Sequence, residues 1–236
     1  MNIIVTGASR GIGYETVKIL AADPAHKIIA IARNRQQLEK LKNECELFQG
    51  GNVFIMVSDL AEHGAQEKLV SEIKNRFKSV DILVNNAGMI LNKSIQEISD
   101  AEIEQVYRVN VFSVFRLIRD LIPLLKKEKA RSHVVNISSM GGVQGSIKFS
   151  GLSAYSSSKG AVAVLTECMA EELKTFNISV NCLALGAVQT EMLEAAFPGY
   201  QASCTAVQMA GYLVDFALKG QENFNGKVLQ VSSSTP

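Results

Sequence analysis

Short apolar, β-branched runs alternate with amphipathic stretches along almost the whole chain. The runs cover 3–5, 27–32, 53–57, 81–84, 133–137, 179–183 and 227–231. Between them, residues 13–22, 36–47, 66–77, 101–125, 155–176 and 205–218 place apolar side chains at helical spacing. This alternation predicts an α/β protein. Strands buried on both faces read as continuous apolar runs, as these do, so the expectation is a doubly wound parallel sheet of about seven strands with helices on both faces. No linker, low-complexity tract or internal repeat interrupts the pattern, and residues 1–236 read as a single domain. Pro123 falls inside the 101–125 pattern, where it should kink the helix or begin a new segment.

Composition narrows the function classes. The 236 residues are 47% hydrophobic, enough for a substantial core, and the net charge of +1 suggests neither a nucleic-acid nor a charged-membrane partner. The basic run Lys126-Lys127-Glu128-Lys129-Ala130-Arg131 reads as a solvated helix end. Four scattered cysteines without a C-x-x-C pair, and three histidines, argue against a zinc site or a disulfide framework. Met1-Asn2 leads straight into Ile3, leaving no room for a targeting segment, and the apolar stretch 111–125 is broken by Arg116, Arg119 and Asp120. The expectations are a cytoplasmic protein with reduced thiols, no metal and no membrane span.

The first strand ends in Thr6-Gly7-Ala8-Ser9-Arg10-Gly11-Ile12-Gly13, and a helical pattern follows. Glycines there permit a tight turn and let backbone amides approach a pyrophosphate at the helix N-terminus. The G-x-x-x-G-x-G spacing differs from the common G-x-G-x-x-G fingerprint and lacks the Gly-Lys-Ser/Thr of a P-loop. Its position between first strand and first helix favours dinucleotide binding over mere turn chemistry. An NAD site expects a carboxylate at the end of the second strand, whereas arginine accommodates a 2′-phosphate. Here that strand ends in Arg33-Asn34-Arg35, and Arg10 adds a cation from the glycine turn. NADP(H) is therefore preferred over NAD(H).

Tyr155 and Lys159 stand at i and i+4, on one helix face. A phenol titrates near ~10, and bringing it to neutrality requires roughly 4 kcal/mol of differential interaction, which a neighbouring cation favours. The spacing alone also fits an exposed lysine beside a half-buried tyrosine. A glycine-rich connection, residues 141–151, precedes this helix, and such loops commonly line sites.

Taken in order, these motifs resemble the short-chain dehydrogenase/reductase family in its compact form, over essentially the full length. Thr6 to Gly13 matches the cofactor turn, with Gly7, Ser9, Arg10, Gly11, Ile12 and Gly13 as its contacts. Ser58-Asp59-Leu60 matches the segment near the adenine, and Asn85-Asn86-Ala87-Gly88 matches the motif that steadies the sheet and borders the cofactor. Asn110, Ser139, Tyr155 and Lys159 fall on a catalytic tetrad, and Thr190 on the position contacting the nicotinamide carboxamide. The resemblance implies a Rossmann-type fold and hydride transfer between nicotinamide and a carbonyl carbon. It implies Tyr155 as general acid, Lys159 as the residue that lowers its pKa and binds ribose, and Ser139 as the donor to the substrate oxygen. Asn110 would hold a water in a proton relay to Lys159.

Some features depart from the family pattern. The Ser139–Tyr155 interval is longer than usual, with the extra length expected in 147–151 and a shifted serine register as the alternative. Leu185-Gly186 replaces the usual Pro-Gly, and the substrate loop after Thr190 is short, which suggests an open site. The terminal residues 231–236 lack the family's glycine-rich ending, which bears on a homodimer or homotetramer assembly. The expected activity is an NADPH-dependent carbonyl reductase or alcohol dehydrogenase acting on a 3-oxoacyl thioester, a diketone or a similar ketone or aldehyde. The alternatives are a catalytically idle NADP(H)-sensing protein on the same fold, and a sugar-nucleotide epimerase or dehydratase, which usually carries a larger C-terminal substrate region. Residues 89–94, 141–152 and 187–200 should form the substrate pocket.

Overall fold

The computed structural model describes residues 1–49, 52–62 and 64–232, so the terminal stretch 233–236 lies outside the described residues. The apolar runs become β1 (Asn2–Thr6), β2 (Lys27–Ala32), β3 (Val53–Val57), β4 (Ile82–Asn85), β5 (Ser132–Ser139) and β6 (Ile178–Leu185). After a short β7 (Val188–Gln189) and β8 (Cys204–Thr205), the chain closes with β9 (Val228–Val231). Seven of these form one sheet in the order β3-β2-β1-β4-β5-β6-β9, with every neighbouring pair parallel. All of its strands therefore end on the same edge, and it is from that edge that the site is built.

The helices are α1 (Gly11–Ala21), α2 (Arg35–Gln49), α3 (Ala65–Arg76), α4 (Asp100–Tyr107), α5 (Ser113–Leu125), α6 (Ser153–Glu172), α7 (Glu191–Ala196) and α8 (Ala206–Lys219). Side chains along a strand alternate between faces. Ile3 and Val5 accordingly join Val17, Leu41 and Leu213 beneath α1, α2 and α8. Ile4 instead joins Leu69, Leu117 and Met169 beneath α3, α5 and α6. Each fully buried Leu or Ile contributes about 1.5–3 kcal/mol, so the two layers hold the sheet between them. Asn34 starts α2 by accepting from Gln37 N at 3.0 Å. Ser99 and Glu102 start α4 with a reciprocal capping box.

The long 101–125 pattern resolves differently from the expectation at Pro123. Helix α5 runs across Pro123 to Leu125. Pro123 is exposed in the last turn, and the carbonyl it leaves without a donor belongs to exposed Arg119, where water can take the bond. The break comes upstream instead, at one widened π turn over Arg108–Phe112. Neither α7 nor the β7–β8 pair stood out in the sequence, because both are too short to show a period. Among the described residues, no helix is long and apolar enough to cross a membrane, and no group of three or more His, Cys, Asp or Glu could hold a metal ion.

Candidate active site

The glycine turn is held open by backbone shape. Gly7 and Gly11 sit at φ 69 and 58, where a side chain is strained. A β-carbon on Gly13 would overlap the Gly7 carbonyl and stand 2.5 Å from Asn86 Nδ2. Asn86 Nδ2 donates to the carbonyls of Thr6 and Gly7 at 3.0 and 3.3 Å. The amides of Asn86 and Ala87 both donate to Thr6 Oγ1, at 3.1 and 3.0 Å, and that hydroxyl donates to Val84 O at 3.3 Å. Thr6 and Asn86 thus weld the loop after β1 to the loop after β4. Helix α1 opens at Arg10 with no side-chain cap and no acid in its first turn. Its first amides and the positive end of its dipole therefore lack a side-chain partner, an arrangement that suits a phosphate. Ile12 packs on the core, and Ser9 stands half-buried in the turn. A β-carbon on Gly11 would lie 3.3 Å from Thr190 Cγ2, so the turn also faces the loop after β6.

At the far end of the sheet, Arg33 projects from the end of β2, largely exposed, with Nη1 3.7 Å from Asp59 Oδ2. Arg33 is thus paired with a carboxylate from the segment after β3. Asp59 Oδ1 accepts from Ala61 N at 3.0 Å, and Leu60 is buried beside it.

The catalytic candidates gather where β5 meets α6. Successive residues of β5 point to opposite faces, and this separates the two serines. Ser138 is buried and donates to Lys159 O at 2.7 Å, which fixes α6 to the strand. Ser139, at the strand end, accepts from Gly141 N at 3.2 Å and lies beside the Tyr155 phenol, whose titration it pulls downward. The two serines thus face different partners, Ser138 the α6 backbone and Ser139 the Tyr155 side chain. Lys159 is 5% exposed, and its Nζ donates to Ile137 O at 2.8 Å and lies 6.0 Å from the Tyr155 ring centroid. Glycine lets these groups approach: a β-carbon on Gly142 would sit 2.5 Å from the Lys159 carbonyl carbon, and one on Gly88 3.3 Å from Lys159 Nζ.

Asn110 occupies the widened turn and is almost fully buried. Its Nδ2 donates to Met89 O and Ser158 Oγ, each at 2.9 Å, and its Oδ1 accepts from Met89 N at 2.8 Å. The side chain is therefore committed to positioning the loop after β4. Thr190 is similarly occupied: its hydroxyl donates to Val188 O at 3.2 Å and accepts from Leu193 N at 3.3 Å, capping α7. Ser158 completes the arrangement without having been singled out by sequence. For Ser158 the available signal was a small polar side chain on the face of the helix that carries the Tyr-Lys pair.

The electrostatics revise one expectation. Burial pushes Lys159 down to about 8. Burial also raises Tyr155 above its ordinary value, with the Ser139 hydrogen bond pulling weakly the other way. Desolvation outweighs Ser139, so the phenol stands above its ordinary value instead of being lowered toward neutrality.

The three expected substrate segments do converge. Lys93 N donates to Gly151 O at 2.9 Å, Asn92 Nδ2 donates to Ala196 O at 2.9 Å, and the Phe149 and Phe197 rings meet edge-on with centroids 5.9 Å apart. The long 147–151 loop reaches across to the short one after Thr190.

These features have close parallels. The chain is 33% identical over 192 residues to a fatty acyl-CoA reductase of Acinetobacter baylyi, covering 80% of this chain and 63% of that protein. It is 30% identical over 210 residues to the 3-oxoacyl-(acyl-carrier-protein) reductase FabG of Escherichia coli, covering 89% and 82%. An L-2,3-butanediol dehydrogenase of Corynebacterium glutamicum matches at 34% over 194 residues, covering 81% and 73%. Coverage of the relatives thus varies, and for the first it falls just under two thirds. Among solved structures, the Pseudomonas aeruginosa RhlG/NADP active-site complex superposes with a TM-score of 0.87 at 25% identity, covering 99% of this chain and 95% of that one. The family model described as short chain dehydrogenase matches residues 1–201, which include the glycine turn, the serine, the Tyr-Lys pair and Thr190. With strand order, cradle and motifs in agreement, the chain belongs to the short-chain dehydrogenase family of oxidoreductases.

Proposed function

We propose that the protein is an NADPH-dependent carbonyl reductase that also runs as an alcohol dehydrogenase, with a ketone or aldehyde such as a 3-oxoacyl thioester or diketone as substrate. The observation that carries this reading is the convergence of Ser139, Tyr155, Lys159 and Asn110 beside an uncapped, glycine-opened helix start. Residues Gly7 to Gly13 fit a dinucleotide, since side chains at Gly7 or Gly13 would fill the cradle. When bound there, the nicotinamide cofactor supplies the hydride. Asp59, Leu60, Asn86, Ala87, Gly88 and Thr190 would line its remaining length.

The chain's own residues manage the proton. Tyr155, held neutral by burial, carries the proton that the reduced carbonyl oxygen needs. Ser139 presents a hydroxyl beside it to stabilise charge developing on that oxygen. The Lys159 ammonium lies next to the phenol and stabilises the phenolate left behind. Asn110 fixes the loop at Met89 that borders the pair.

Following NADPH and NADH oxidation against oxoacyl thioesters, diketones and aldehydes tests the assignment. The Tyr155→Phe variant should bind cofactor normally and lose roughly 10²–10⁴ in reduction rate. Retained activity would remove Tyr155 from the role. The preference for NADP(H) rests on Arg33 and Arg10, both exposed, with a 2′-phosphate taking the place of Asp59 beside Arg33. The idle-sensor alternative gains nothing from a chain that keeps all four candidates. We also read the protein as cytoplasmic, on its free cysteines, and as a homodimer or homotetramer.

A further inference from the structure

The segments lining the mouth of the site leave different strand ends, and one side chain touches both of the others. Asn92, in the loop after β4, donates Nδ2 to Ala196 O at the end of α7 at 2.9 Å. Its Oδ1 fills the space where a β-carbon on Gly151 would stand, and Gly151 holds φ +82 in the lengthened loop before α6. The neighbouring Lys93 amide donates to the Gly151 carbonyl at 2.9 Å. Lys93 Nζ binds both carboxylate oxygens of Glu102 at 2.9 Å, which ties this stretch to the first turn of α4. Beside the contact, Phe149 and Phe197 meet edge-on, one from each flanking segment.

We propose that Asn92 is a positioning residue that clasps the 143–152 loop to α7 across the mouth of the site, and so sets how tightly the carbonyl substrate is held. This rests on the reductase reading and deepens it. The Asn92 side chain hydrogen-bonds to α7 and to none of the catalytic candidates, so its effect acts on binding rather than on proton transfer. Asn92 is exposed, and a single exposed hydrogen bond holds weakly, which suits a clasp that opens for substrate entry and product release. Gly151 is the matching half: only a residue without a side chain lets the loop come so near Asn92 with that backbone.

The test uses Asn92→Asp, equal in size but without the donor, and Gly151→Ala, which forces the loop away from the other side. Losing one such bond predicts a rise of about 3- to 10-fold in KM for the carbonyl, with kcat and the KM for NADPH within about twofold of the parent. Hydrogen exchange should quicken in 143–152 and 191–197 together. Because both changes open one clasp, the double variant should show no more than the larger single effect. An unchanged KM, or effects of the two substitutions that multiply, would overturn the proposal. If the parent protein reduces no carbonyl in the panel, the reductase reading fails by itself. The exchange measurement then still decides the clasp: coupled quickening in Asn92→Asp supports it, and no change refutes it.

Discussion

At the scale of single residues, the two adjacent serines show how much alternation decides. Ser138 and Ser139 are indistinguishable by type, yet one is sealed against α6 and the other faces Tyr155. Lys159 carries a testable consequence of burial. Its ammonium is disfavoured in the folded protein, where it titrates near about 8 instead of 10.5. If that charge assists Tyr155, kcat/KM for reduction, which reports the free enzyme, should fall as pH rises through about 8. A profile flat to pH 10 would show that the charge on Lys159 is irrelevant. Gly13 allows a second prediction. A methyl there overlaps the Gly7 carbonyl, so Gly13→Ala should destabilise the fold by about 1–3 kcal/mol and weaken NADPH binding, as read by calorimetric titration. Unaltered affinity would separate the cradle from the cofactor.

At the scale of elements, the strands and long helices were legible because each shows a clear period or an unbroken apolar run, as 27–32 and 66–77 do. The widened turn at Asn110 was not, since its five residues are too few to show a period of their own. Its effect is felt only in three dimensions, where it delivers Asn110 to Met89 and Ser158. The commitment of Thr190 to capping α7 was not legible either, because it depends on a helix too short to predict. Strand β5 and helix α8 carry a pH effect of their own. His133 is buried and neutral, with Nδ1 3.0 Å from Ala217 O and Nε2 3.0 Å from Asn181 Nδ2. Burial pushes it down to about 4, so the unfolded chain takes up a proton below about 6.5 while the folded one does not. Stability linked to this residue is complete above pH ~6.5 and should decline by about 3 kcal/mol as pH falls to about 4. Denaturant titrations across that range would show it. A His133→Gln variant should lose this part of the slope, and an unaltered slope would acquit His133.

At the scale of the whole molecule, apolar side chains remain on the outside. Phe112, Phe115 and Val164 stand 43%, 45% and 59% exposed on the widened turn, α5 and α6. Burying such a surface is the simplest reason for the homodimer or homotetramer proposed above. Phe115→Glu with Val164→Glu should shift the mass measured by light scattering toward the monomer while leaving the far-ultraviolet circular dichroism unchanged. A parent protein already monomeric at working concentration would contradict the assembly. The architecture was readable in advance because a parallel sheet imposes its pattern on the entire chain. The pairing of Arg33 with Asp59 was not, because neighbouring positions in the sheet belong to strands distant in sequence.

The strand order has one more consequence, which concerns length. Asp59 follows β3, Gly7 follows β1 and Ser139 ends β5, so these points fall on every second strand along one edge of the sheet. Neighbouring strands stand about 4.8 Å apart, and four steps separate β3 from β5, which makes roughly 19 Å from one end to the other. The edge is therefore a ruler. A molecule that meets Arg33 and Asp59 at one end and Tyr155 at the other while crossing the glycine turn midway has to span that whole measure, and a mononucleotide is too short to do so.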